Sequence, residues 1–170
     1  MRKIVVVGVS GAGKTVLANG LGDRLGLPVT HLDGMYHRED GSTLPAEDFA
    51  QAQRALVAGP TWVVDGNYAS TLDIRLAAAD TVVFLDIHPP AALLGIMARR
   101  HRHTGERYAH EGVYDPVNPG VVRYVLAYRH TMRPRVRRLL AEHVGPGTAV
   151  HRFTTRRAAD RWMESLPVAP

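Results

Sequence analysis

The chain has no cysteine in its 170 residues, which excludes disulfides, thiolate nucleophiles and any cysteine-ligated zinc site. Nor does it have an apolar segment near the roughly 20 residues that a membrane span needs. The first apolar stretch is too short, and too soon followed by glycines, to act as a signal peptide, so the expected address is the cytoplasm. No low-complexity stretch divides the sequence, and residues 1–170 are expected to form a single domain with a real core. Lysine is scarce, at two residues against nineteen arginines, and fourteen of those arginines fall between Arg99 and Arg161. The carboxyl-terminal half is therefore cationic within a net charge of +5. A basic half suits polyanions, either nucleotide phosphates or nucleic acid.

The residues Gly8-Val9-Ser10-Gly11-Ala12-Gly13-Lys14-Thr15 follow the apolar run Ile4 to Val7 and fit the pattern Gly-x4-Gly-Lys-Ser/Thr at every specified position. Glycines let the main chain curl closely around phosphate oxygens, aiming N–H groups and a helix amino terminus at the negative charge. Lys14 adds a mobile positive charge, and the Thr15 hydroxyl stands one residue into the helix, where it can ligate magnesium. Gly8, Ser10, Gly11, Ala12, Gly13, Lys14, Thr15 and Val16 are the expected contacts to ATP. The context agrees: the four apolar residues before the loop suit a strand buried on both faces, and Val16, Leu17, Leu21 and Leu25 recur at helical spacing until Gly26 and Pro28.

Further along, strands are expected at Val29 to Leu32, Thr61 to Val64, Thr81 to Ile87 and Thr148 to Phe153. Helices are expected at Pro45 to Ala58, Leu72 to Ala79, Pro89 to about Arg100, Val121 to Val144, and Thr155 to Leu166. The polar run from His101 to Gly120, with its Pro and Gly, reads as a mobile loop. Alternation of strands and helices predicts an α/β fold: a five-stranded parallel sheet with helices on both faces, three layers in all. Ligands of such sheets bind beyond the carboxyl ends of the strands, where the phosphate loop, Asp33, the Asp65 to Tyr68 turn and the segment after Asp86 converge.

Three stretches together resemble the adenylate kinase-like P-loop kinases: the phosphate loop, Trp62-Val63-Val64-Asp65-Gly66-Asn67-Tyr68, and Ala79 to Asp86 followed by a helix ending Arg99-Arg100. Within that group the sequence is most similar to small bacterial proteins labelled topology modulation proteins, which share the His-Leu-Asp near the second strand and the Trp-x-x-Asp-Gly-Asn-Tyr segment. The resemblance implies an ATP site with Mg2+, a flexible arginine-rich lid at about 101–120, and an acceptor-binding insert at about 34–59. It implies magnesium at Asp65, together with Thr15. Gly95 departs from the pattern, since relatives often carry an arginine there, one helical turn before Arg99. The insert also lacks an obvious nucleoside-monophosphate signature.

Phosphoryl transfer needs charges placed around the transition state and an acceptor held in line more than it needs covalent help. Lys14 is one such charge. Asp33, at the end of the second strand, is a candidate to take a proton from an alcohol acceptor, to help hold magnesium or to bind the substrate. Arg99 and Arg100 before the lid, with Arg123 and Arg129 after it, are candidate phosphate clamps on a closing segment. Arg75 is a candidate for an acceptor anion, and Arg38, Asn67 and Tyr68 line the acceptor pocket by position. His101, His103, His110 and Glu111 match no recognised ligand spacing, so no zinc site is expected. The leading reading is a small ATP-dependent kinase, monomeric or homodimeric, acting on a nucleotide or another small molecule. The alternative is a nucleotide-responsive protein that uses the arginines from Arg123 to Arg138 on nucleic acid or a protein partner. The Asn-Lys-x-Asp signature of guanine readers is absent.

Overall fold

Ile4, Val5, Val6 and Val7 are all fully buried, and the run divides its side chains between two cores, Ile4 and Val6 into one and Val5 and Val7 into the other. Successive side chains of a strand point to opposite faces, so an uninterrupted apolar run is what a strand covered on both sides requires. In the computed structural model, which describes residues 1–38, 40–102 and 119–169 and the side chains of all of these except 99–102, that run is the strand β1 (Lys3–Gly8) at the centre of a sheet.

The other strands are β2 (Val29–His31), β3 (Trp62–Asp65), β4 (Thr81–Leu85) and β5 (Ala149–Phe153). The order across the sheet is β2-β3-β1-β4-β5, every pairing is parallel, and the carboxyl ends of all five strands therefore share one edge. Helices α1 (Lys14–Leu25), α5 (Pro89–Arg102), α6 (Pro119–Ala127) and α8 (Arg156–Glu164) contribute to the core on one face. The short α2 (Leu32–Tyr36), with α3 (Ala46–Val57), α4 (Leu72–Ala78) and α7 (Met132–His143), supplies the core on the other. This is the expected three-layer P-loop fold. Among the described residues no helix is long and apolar enough to cross a membrane.

Three elements depart from expectation. The second strand stops at His31, and Asp33 lies in the first turn of α2, where an acidic side chain complements the helix dipole. The helix expected over Val121 to Val144 is two helices, broken at Tyr128 to Thr131. Pro134 is the reason: it has no N–H for an i−4 carbonyl and is tolerated only in a first turn, so a new helix begins just before it. Val16, which shares the helical spacing of Leu17, Leu21 and Leu25, is 75% exposed, because the buried stripe of α1 is Leu17, Ala18, Leu21 and Gly22. Of the lid expected at about 101–120, residues 101–102 and 119–120 belong to α5 and α6, while 103–118 lie outside the described residues, as do the side chains of Arg99 and Arg100.

Candidate active site

Beyond β1 the chain turns through Gly11 at φ 77°, a backbone conformation that residues with side chains rarely adopt. A Cβ there would collide with the Ala92 carbonyl of α5, so the loop lies as close to that helix as glycine alone permits. The Ala12 N–H donates to Val9 O at 3.0 Å and closes the turn. Helix α1 then begins at Lys14 with no side chain capping its first amides. A helix amino terminus presented in this way carries N–H donors and partial positive charge, and so favours an anion. The Lys14 ammonium folds back over the loop to Val9 O at 3.3 Å.

The Thr15 hydroxyl donates to Asp65 Oδ2 at 3.0 Å, and Asp65 Oδ1 lies 2.8 Å from His31 Nδ1. Sheet register brings these groups together, because β3 lies between β1 and β2 and pairs Asp65 with both Val6 and His31. Asp65 is only 4% exposed. A hydroxyl and a carboxylate facing one another beside an amide-lined loop make an oxygen donor pair of the kind magnesium takes, and the residues present fit that ion.

The turn after β3 joins this donor side to Asp33. Asn67 Oδ1 accepts the N–H of Gly8 at 3.0 Å, at the start of the phosphate loop. Its neighbour Tyr68 donates its hydroxyl to Asp33 Oδ1 at 2.7 Å. Burial first, and the bond to Asp33 second, push the Tyr68 phenol far above its ordinary pKa, so it remains a proton donor. The rings of Tyr36, Phe49 and Tyr68 pack mutually with centroids 4.8 to 5.1 Å apart, giving this side of the site an aromatic wall.

No protein-family model matches the chain. Its sequence is 26% identical over 181 aligned positions to a shikimate kinase of Xanthomonas campestris pv. campestris, covering 96% of each chain. The structure matches the shikimate kinase of Acinetobacter baumannii, solved in complex with shikimate, at a TM-score of 0.61 and 17% identity over 96% of this chain and 92% of that one. It also matches an unliganded sugar kinase from Janibacter sp. at a TM-score of 0.51 and 22% identity, over 96% and 91% of the two chains. The fold is that of the P-loop kinases.

Within this P-loop kinase fold the remaining sequence candidates sit as follows. Arg75, expected at an acceptor anion, is fully buried and donates instead to the carbonyls of Gly66 at 2.7 Å, Asn67 at 2.9 Å and Tyr68 at 3.3 Å. The sequence assignment is corrected accordingly: Arg75 clamps the turn that carries Asn67 and Tyr68, and burial lowers its pKa to about 9. Arg38 lines an open cavity of about 560 Å³ together with Gly34, Met35, His37, Asp40 and Leu44, next in the chain to Asp33. Arg123 is exposed on α6, and Arg129, in the break after it, places Nη1 2.8 Å from His88 Nε2.

Two arrangements had no counterpart in the sequence reading. Asp86, just past β4, is held by Arg133 of α7 in a two-pronged pair at 2.7 and 2.8 Å, and by Arg152 of β5 at 2.8 Å. Burial alone would raise its pKa, but the two guanidinium groups outweigh that and hold the carboxyl below its usual range. The second is Arg156, the first residue of α8, whose guanidinium reaches Gly11 O at 2.6 Å and Ala12 O at 3.2 Å in the phosphate loop. No spacing announces either one, since the partners are 47 to 145 residues apart.

Proposed function

We propose that this protein is a kinase that transfers the γ-phosphoryl group of ATP to a hydroxyl group of a small molecule. The observation that carries the reading is the Asn67-Tyr68 turn, which hydrogen-bonds the phosphate loop through Gly8 at one residue and Asp33 through a side chain at the next. A donor site and a candidate proton acceptor are thereby tied to one short segment. In the reaction the acceptor oxygen forms a bond to the γ-phosphorus, the bond from phosphorus to the β,γ-bridging oxygen breaks, and its electron pair leaves on ADP. The hydroxyl proton passes to the Asp33 carboxylate. Loop amides and Lys14 hold the phosphate oxygens. Magnesium at Thr15 and Asp65 supplies charge stabilisation on the phosphates when it is bound.

An alcohol is favoured over a phosphate as acceptor by two features. Asp33 presents a negative group at that side, and Arg75, the cation assigned there from sequence, is engaged with backbone carbonyls. The names of the relatives, shikimate kinase and sugar kinase, support the same reading. Residues 34–59 form the acceptor insert on this account, with Arg38, Asn67 and Tyr68 at the substrate, and residues near 101–120 form the lid, with Arg99 and Arg100 before it and Arg123 and Arg129 beyond it. The nucleic-acid alternative drew on arginines from Arg123 to Arg138. These are divided among two helices and the break between them, which holds Arg129, and Arg133 is held by Asp86. Release of ADP from MgATP that depends on an added sugar, polyol or hydroxy acid tests the proposal, and its absence across a broad set of such alcohols counts against it.

A further inference from the structure

The phosphate loop is braced from outside by one side chain. Arg156 donates through Nε to Ala12 O at 3.2 Å and through Nη2 to Gly11 O at 2.6 Å and to Ala91 O of α5 at 2.7 Å. These three carbonyls belong to the loop and to the helix packed on it, so a single planar fork fixes their relative positions. The stem of Arg156 passes Gly13, lying 3.6 to 4.0 Å from the place of a Cβ on that glycine. Among the described residues no carboxylate is within ion-pair distance of it. Burial lowers its pKa, with Asp160 acting in the opposite sense.

The space this guanidinium occupies exists because residue 95 has no side chain. A Cβ on Gly95 would collide with Arg156 Nη2 and with Gly11 O. The glycine on α5 and the arginine on α8 are thus two halves of one feature, and only together do they let the cation reach the loop.

We infer that Arg156, seated over Gly95, is a positioning residue for the nucleotide: it holds the loop carbonyls outward, so that the amides stay turned toward the phosphates, and adds a positive charge behind them. The inference rests on the reading that Gly8 to Thr15 binds ATP. Calorimetric titration of MgATP into the purified protein tests it, with apo-state thermal unfolding run in parallel to show that each variant is folded. Arg156→Met should weaken MgATP binding about tenfold or more, equivalent to about 1.4 kcal/mol. Arg156→Lys, which keeps the charge and loses the fork, should weaken it less. Gly95→Ala changes no charged group, yet its methyl would meet both Arg156 Nη2 and Gly11 O, so it should weaken binding at least as much as Arg156→Met. Folded Arg156→Met, or folded Gly95→Ala, that binds within about twofold of wild type would overturn the inference. If Gly95→Ala does not fold, Arg156→Met and Arg156→Lys decide it. Wild-type protein that binds no MgATP removes the proposed function itself, a distinct result.

Discussion

Tyr68 donates its hydroxyl to Asp33 at 2.7 Å while its own backbone sits at φ 27°, the one positive φ outside glycine among the described residues. Such a conformation costs on the order of 1–3 kcal/mol and persists only where its surroundings enforce it. Here the enforcement is Arg75, whose guanidinium donates to the carbonyls of Gly66, Asn67 and Tyr68. The strained turn aims one side chain at the phosphate loop and the next at the candidate base. Asp33→Asn should lower kcat by about a hundredfold or more, the usual weight of a general base. Tyr68→Phe should lower it by about fivefold, the worth of one hydrogen bond of ~1 kcal/mol. Steady-state kinetics with an identified acceptor checks both, and unchanged rates for Asp33→Asn would remove Asp33 from the chemistry.

Lys14→Ala should lower the transfer rate by about a hundredfold or more, comparable to removing one donor from a developing oxyanion. Lys14 is only partly buried at the mouth of the loop, so the apo unfolding midpoint should stay close to that of wild type. A variant that retains full rate would show that the phosphates are held elsewhere.

Asp65→Asn keeps the shape of the site and removes the charge opposite Thr15. The expected outcome is a markedly higher magnesium requirement at fixed ATP, read from the rate against magnesium concentration. An identical magnesium curve would contradict the assignment of Thr15 and Asp65.

Arg75→Met should destabilise the fold by about 2–4 kcal/mol, because it leaves buried carbonyls without donors. Chemical denaturation measures this. A loss of transfer activity with unchanged stability would instead restore Arg75 to the acceptor site.

Asp86 gives a pH-dependent prediction. Its folded pKa lies below the unfolded value of about 3.9, so its pairing with Arg133 and Arg152 stabilises the protein fully above that value and is lost as pH falls toward the folded pKa. Asp86→Asn should therefore cost about 2–3 kcal/mol at neutral pH. The gap from wild type should close as denaturation is repeated below about pH 4. A gap that does not vary with pH would contradict the ion-pair account.

What could be read from the sequence was what is contiguous or periodic. The phosphate loop is one uninterrupted stretch, and β1 announces itself as an apolar run because both its faces are covered. The Asp65 to Tyr68 turn was legible as a place, but its contacts were not, since Gly8, His31 and Asp33 reach it only through strand register. Arg75 was misassigned although a signal was present: it stands three residues after Leu72 and one before Leu76, on the stripe that a helix buries. Pro134 likewise marked the break between α6 and α7. Arg156 gave no such sign, because its role depends on a gap at Gly95 in another helix, 61 positions away by the numbering.

The most direct test of the account is phosphorus NMR of wild-type protein with MgATP and a set of sugars, polyols and hydroxy acids. The account predicts a new phosphomonoester signal growing as the ATP γ-signal declines, and its loss in Lys14→Ala and Asp33→Asn. Conversion of ATP to ADP and inorganic phosphate alone, with every alcohol left unmodified, would contradict it.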